Sequence, residues 1–339
     1  MKRWMICGLG AASMGAVGGG GAPPPVTTEA RPNVASAPVA TAEAATASTG
    51  APVVEMALAA PKRLAKVRFD VGGEDFGVPL VDVVVGGHPT SLMVDTGATH
   101  HVIGSWVAAQ LGKTTTTGTA GLDHAGKSLS LSQMVGAEIV VSGWGALGVN
   151  TVLVATLPPV LQAQGVGGVL SPLAMRSEGR AVVLDMRRGT LSEMGSEDAL
   201  KGLESQPGEG FSGEVLDCGN GGSLAFVKAT IGGVAVEAQL DTGATNTTVR
   251  AAADVGVKLK PLAKGKNSAY AASGIFTVPS VETASVQVGG VTVETSVDLV
   301  SRDPRTPCTN DAHIGMDVLR RCTIVMAEKT FAAKCDKPH

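Results

Sequence analysis

An alternating apolar run at 81–85 meets Gly86-Gly87, and a second apolar run follows at 90–94. Two β-branched stretches joined by two glycines predict a β-hairpin. The second strand runs into Asp95-Thr96-Gly97-Ala98-Thr99, and the amphipathic stretch behind it predicts a short helix over 105–111. Strands are expected at 136–141 and 151–154. A glycine-bearing segment near Val169 then leads to a short helix, and a closing strand follows at 181–185. The same order returns in the second half, with a helix at 251–255, a glycine-bearing segment near Met316 and a closing strand at 323–326. Short strands, tight turns and few helices predict an all-β chain.

The recurrence is an internal repeat. VDVVVGGHPTSLMVDTGATH, starting at Val81, aligns with VKATIGGVAVEAQLDTGATN, starting at Val227. The offset is 146 for the strands and for the aspartates (241 − 95 = 146), and it runs without a gap to Val154 and Val300. Gly86-Gly87 then matches Gly232-Gly233, and His124 matches Tyr270. Further on, Gly168 is paired with Gly315 by a one-residue slip. Each half therefore reads as one copy of the same unit. The first lobe is expected over 63–192 and the second over 215–339, with the polar stretch 193–214 as linker.

Charge and composition remove several function classes. A formal net charge of −3 with scattered Lys and Arg gives no field for nucleic acid, and 3% aromatics leave few stacking surfaces. No Walker lysine or GxGxxG-helix pattern is present for phosphates. Lys2 and Arg3 precede an apolar stretch at 4–17 and small residues at 18–22, which predicts a signal peptide over 1–22. An uncleaved anchor or a disordered N-terminus is the alternative, and no membrane association is expected beyond such an anchor. The Ala/Pro/Thr-rich stretch 23–62 predicts a disordered tether. The mature protein is expected to be periplasmic or secreted, from a bacterial-type cell. Four cysteines remain after the leader: Cys218, Cys308, Cys322 and Cys335. In an exported chain they predict two disulfides, with three pairings open. The expected pairing joins Cys308 to Cys322 and Cys218 to Cys335. No CxxC pair supports zinc, so no metal and no cofactor are expected.

The chemistry concentrates in the two DTGAT loops. An apolar strand delivers each aspartate from a buried element. Thr96 and Thr242 can bond backbone across a two-fold interface. Gly97 and Gly243 let backbone approach the carboxylates. Ala98 and Ala244 keep the floor narrow. Two carboxylates face to face share one proton, so one serves as acid and the other as base.

With these motifs the chain resembles the retropepsin-like and pepsin-like aspartic proteases. The loops look retroviral, with Ala after Gly, whereas two copies in one chain look like the pepsin arrangement. The segments 167–170 and 314–319 look like the hydrophobic–Gly motif behind each catalytic loop, although Ser171-Pro172-Leu173 departs from Asp317-Val318-Leu319. The resemblance covers about 67–335. It implies a bilobal acid-protease fold of two pseudo-two-fold-related lobes, and an aspartic endopeptidase with Asp95 and Asp241 as catalytic pair. It also implies flaps near 118–126 and 268–274, where His124 and Tyr270 are candidates to cover substrate. A peptide or protein substrate and a monomeric chain are expected. Ala98 and Ala244 cannot donate a hydroxyl to the carboxylates, so a mildly acidic optimum is expected. The alternatives are an inactive peptide-binding protein on the same fold, or copies that pair between chains. His100 and His101 are expected to be loop or surface residues, Trp106 core, and Trp144 exposed at a turn.

Overall fold

The computed structural model describes residues 5–6 and 63–337, apart from 114, 123–127, 149–150, 220–221, 272–273, 302–307 and 309. The stretches assigned to signal and tether lie outside these residues, save 5–6.

The β-branched runs build a 10-stranded sheet in the first half and a 14-stranded sheet that contains the second. The Gly-Gly signals are hairpin turns. Glu74–Val85 pairs antiparallel with His88–Val94, and Ser223–Ile231 with Val234–Leu240. Gly86 and Gly87 take φ of 53° and 89°, and Gly232 and Gly233 take 56° and 75°. Positive φ at both turn positions is why glycine occupies them.

Each half then makes the same unusual insertion. The strand Val166–Leu170 enters between His88–Val94 and Val102–Gly104, parallel to the first and antiparallel to the second. Ala312–Ile314 does the same between Val234–Leu240 and Thr247–Arg250. The loop joining the two outer strands, which carries the aspartate, must pass over the end of the inserted one. Asp95 N–H donates to Leu170 O at 2.9 Å, and Asp241 N–H to Ile314 O at 3.0 Å.

These bonds correct the pairing of Gly168 with Gly315. Leu170 stands against Val94 as Ile314 stands against Leu240. Ser171 is therefore the counterpart of Gly315, and Gly168 that of Ala312. The offset falls from 146 to 144, because the connections ahead of the inserted strands differ in length. Gly168 answers a different need: its φ is +159°, and a Cβ there would lie 2.1 Å from Val102 O.

The last hairpins of the two halves join. Arg180–Asp185 pairs antiparallel with Cys322–Met326, Leu184 opposite Ile324, both fully buried. The stretch 193–214, expected as a linker, holds the helix Ser196–Glu204 and the start of the strand Glu209–Asp217. That strand pairs with Thr330–Cys335, so the connection is part of the sheet. The fold is the all-β, bilobal acid-protease architecture with few short helices.

The disulfides are Cys218–Cys308 and Cys322–Cys335, not the expected pairing. Cys322 and Cys335 face each other across neighbouring antiparallel strands with Cα atoms 4.0 Å apart, so the hairpin itself selects them. Trp144 is also buried rather than exposed. Its turn is covered by the first strand of the domain, whose Leu64 N–H donates to Gly143 O at 3.1 Å. Trp106 is partly buried and packs against the core.

Candidate active site

Asp95 and Asp241 are fully buried, each at the end of a strand whose preceding residue, Val94 or Leu240, is also fully buried. Apolar packing of these strands fixes the backbone from which both carboxylates project.

Thr96 and Thr242 join the loops by four reciprocal hydrogen bonds. Thr96 N–H donates to Thr242 Oγ1 and Thr242 N–H to Thr96 Oγ1, both at 3.0 Å. Each hydroxyl in turn donates across the interface, Thr96 Oγ1 to Leu240 O at 2.9 Å and Thr242 Oγ1 to Val94 O at 2.7 Å. Each threonine accepts one proton and gives one, so a buried hydroxyl is fully used on both sides.

Gly97 N–H donates to Asp95 Oδ1 at 2.7 Å, and Gly243 N–H to Asp241 Oδ1 at 3.1 Å. A Cβ on Gly97 would stand 2.9 Å from Asp241 Oδ1 and 3.0 Å from Asp95 Oδ1. Both Oδ1 atoms thus converge on the bare face of Gly97, and any side chain there would separate the carboxylates. Ala98 and Ala244 are buried beside them. All eight loop residues singled out in the sequence come together here.

The flap candidates are only partly placed. Thr115–Leu122 pairs with Ser128–Val135, and Gly265–Ala271 with Gly274–Val288, so hairpins stand at both expected positions. His124 lies outside the described residues. Tyr270 falls on its strand in register with Ile275.

His100 and His101 lie on the loop ahead of the strand Val102–Gly104, as expected. His101 is buried. Its Nδ1 accepts the Ser171 N–H at 3.2 Å, and burial pushes its pKa down to about 4, with a smaller contribution from His100. His100 is half-buried and its Nδ1 lies 2.9 Å from Thr99 Oγ1.

His313 escaped sequence reasoning altogether. It is buried, and its Nδ1 lies 2.8 Å from Asp241 Oδ2. A ring nitrogen from another strand thus stands against the carboxylate to which Ala244 offers no hydroxyl. The available signal was a histidine two residues before Gly315, inside an otherwise apolar strand. Nearby, Gln239 Nε2 donates to Gly97 O at 3.3 Å and Asn310 Nδ2 to Gln239 Oε1 at 2.9 Å. Asp317 is buried too, and burial raises its pKa to about 6. Among the described residues no cluster of three or more His, Cys, Asp or Glu is arranged to hold a metal.

Comparison with known proteins agrees on both halves. Residues 81–171 match the aspartyl protease family model, and residues 227–321 match that of the aspartyl protease of gag polyproteins. Similar solved structures include an aspartic proteinase from Irpex lacteus, at 13% identity and TM-score 0.46, covering 81% of this chain and 97% of that one. Basic 7S globulin from soybean is another, at 11% identity and TM-score 0.45, covering 80% and 94%. No curated protein matches the chain in sequence. With one aspartyl protease match on each copy of the repeat, the chain belongs to the retropepsin-like and pepsin-like aspartic protease family.

Proposed function

We propose that the chain is an aspartic endopeptidase in which Asp95 and Asp241 share one proton and hydrolyse a peptide bond with a water they activate. The observation that carries this reading is the reciprocal Thr96–Thr242 lock, which holds two buried carboxylates with their Oδ1 atoms on the same glycine. Buried carboxylates that close cannot both ionise cheaply, the behaviour established for aspartic-protease dyads. One carboxylate takes a proton from the attacking water, and the other gives its proton to the carbonyl oxygen. No covalent intermediate and no cofactor are required.

The substrate is an extended peptide lying between the lobes, held by main-chain hydrogen bonds and covered by the hairpins on either side. Because the chain carries both aspartates, it works as a monomer. Residues 1–22 direct export to the periplasm or medium, and two disulfides fit an oxidising compartment.

Digestion of a peptide library by the oxidised full-length protein, Asp95→Asn and Asp241→Asn tests this. Each variant is expected to lose on the order of 10²–10⁴-fold in rate while staying folded. A folded wild type that binds peptides and cleaves none would make the protein a peptide-binding member of the family instead.

A further inference from the structure

The two lobes differ along one row of residues crossing the strands beside the aspartates. In the second lobe the strand pairing sets Gln239 beside His313, His313 beside Thr248, and Thr248 beside Asp298. All four are buried. The same pairings in the first lobe set Met93 beside Val169, Val169 beside Val102, and Val102 beside Leu153. Four buried polar side chains thus replace four apolar ones at equivalent places. Burying a polar group costs free energy that an apolar residue would not, unless its partners are supplied.

The partners are supplied, and they lead to the site. At one end Gln239 holds Gly97 O of the opposite loop, with Asn310 behind it. At the other, Asp298 accepts from Asn246 at 3.2 Å and from Asn267 of the Gly265–Ala271 strand at 2.8 Å. His313 sits in the middle against Asp241 Oδ2. Its counterpart Val169 has an apolar side chain. A row that departs from the apolar pattern only in the lobe of Asp241 points to function rather than packing.

We propose that His313 is a positioning residue of the dyad: its Nδ1–H donates to Asp241 Oδ2 and holds Asp241 as the ionised carboxylate, so that Asp241 is the base and Asp95 the acid. This rests on the peptidase reading above. The proton shared by an imidazole and a carboxylate resides on the stronger base, which is the imidazole. A donor at Oδ2 favours the charged carboxylate. Hydrolysis then has a direction. Water forms its C–O bond to the scissile carbonyl carbon and passes a proton to Asp241 Oδ1. The carbonyl π pair moves to oxygen, which takes the proton of Asp95. The proton now on Asp241 passes to the amine nitrogen as the C–N bond breaks, and a hydroxyl of the tetrahedral diol returns its proton to Asp95 as the carbonyl re-forms.

The test uses the full-length oxidised protein with ¹⁵N-labelled histidine. The His313 Nδ1 resonance of wild type is expected to be that of a protonated nitrogen, and Asp241→Asn should shift it. His313→Val, which copies the first lobe, should lower kcat on a peptide roughly 10- to 100-fold with KM changed less than about threefold. His313→Asn keeps an N–H near the Nδ1 position and should recover most of that loss. A bare Nδ1 in wild type, or a folded His313→Val with wild-type kcat, would overturn the proposal. If wild type cleaves no peptide, the peptidase reading fails while the Nδ1 resonance still decides the hydrogen bond. If His313→Val does not fold, the resonance and His313→Asn decide it.

Discussion

Ser171 N–H donates to His101 Nδ1 at 3.2 Å in the place where the second lobe has Gly315 N–H donating to Thr247 Oγ1 at 3.3 Å. One structural demand, an acceptor for the first backbone N–H beyond the inserted strand, is met by an imidazole in one lobe and a hydroxyl in the other. The hydroxyl accepts at any pH. The imidazole accepts only while Nδ1 is unprotonated.

His101 should therefore make the protein acid-sensitive. Its folded pKa of about 4 lies below the unfolded value of 6.5, so the unfolded chain binds more protons between those limits. The stability it allows is present above pH 6.5 and is lost as pH falls toward 4, by about 3 kcal/mol in all. His101→Thr, which installs the second lobe's solution, should gain in urea midpoint relative to wild type as pH falls from 6.5 to 4. A difference between the two proteins that does not change with pH would show that another group is responsible.

Asp317 should act with the opposite sign. Its pKa is raised from 3.8 to about 6 by burial, against the hydrogen bonds from Thr247, Thr295 and the Val318 N–H. The folded state then holds the extra proton, so this residue costs stability above pH 6 and the cost disappears as pH falls to 3.8. Asp317→Asn keeps an acceptor for Thr247 Oγ1, now 2.9 Å from the carboxylate, without the charge. Urea unfolding should show it more stable than wild type by up to about 2 kcal/mol at pH 7, and nearly equal at pH 4. The two residues oppose each other between about pH 4 and 6, so wild-type stability should vary less there than in either variant.

How much of this was legible in the sequence depended on distance along the chain. The DTGAT loops were readable because Asp95 and Asp241 sit in identical pentapeptides at a constant offset, and their chemistry is local. One strand of each lobe-closing hairpin was readable from the runs 181–185 and 323–326, but not its partner. The register of the inserted strands was not, because the offset changes by two residues in loops whose length carries no apolar pattern. Disulfide pairing failed for a related reason: Cys322 and Cys335 are adjacent only through their hairpin, and Cys218 meets Cys308 only after 90 residues of chain have folded. His313 was invisible because its role arises from a neighbour on another strand, not from residues beside it. The connection 193–214 misled through composition, since its acidic and small residues suit an exposed helix as well as a loop.

The threonine lock can be weighed by double-mutant cycle. Thr96→Val preserves shape but removes the acceptor of Thr242 N–H and the donor to Leu240 O, leaving two buried backbone groups unpaired. Each such group costs about 1–3 kcal/mol, so the single variant should lose roughly 2–5 kcal/mol in urea unfolding. Thr242→Val strands Thr96 N–H and Val94 O in the same way. Ser at either position keeps the hydroxyl and should cost far less. The two valine changes remove separate pairs of bonds, yet both loosen one interface. Once it has parted in the single variant, the remaining bonds are already weakened. The double variant should then lose less than the sum of the singles, by about 1 kcal/mol or more. Strict additivity would mean that the loops hold their places independently. The opposed carboxylates would then owe their positions to the inserted strands, through Leu170 O and Ile314 O, rather than to each other.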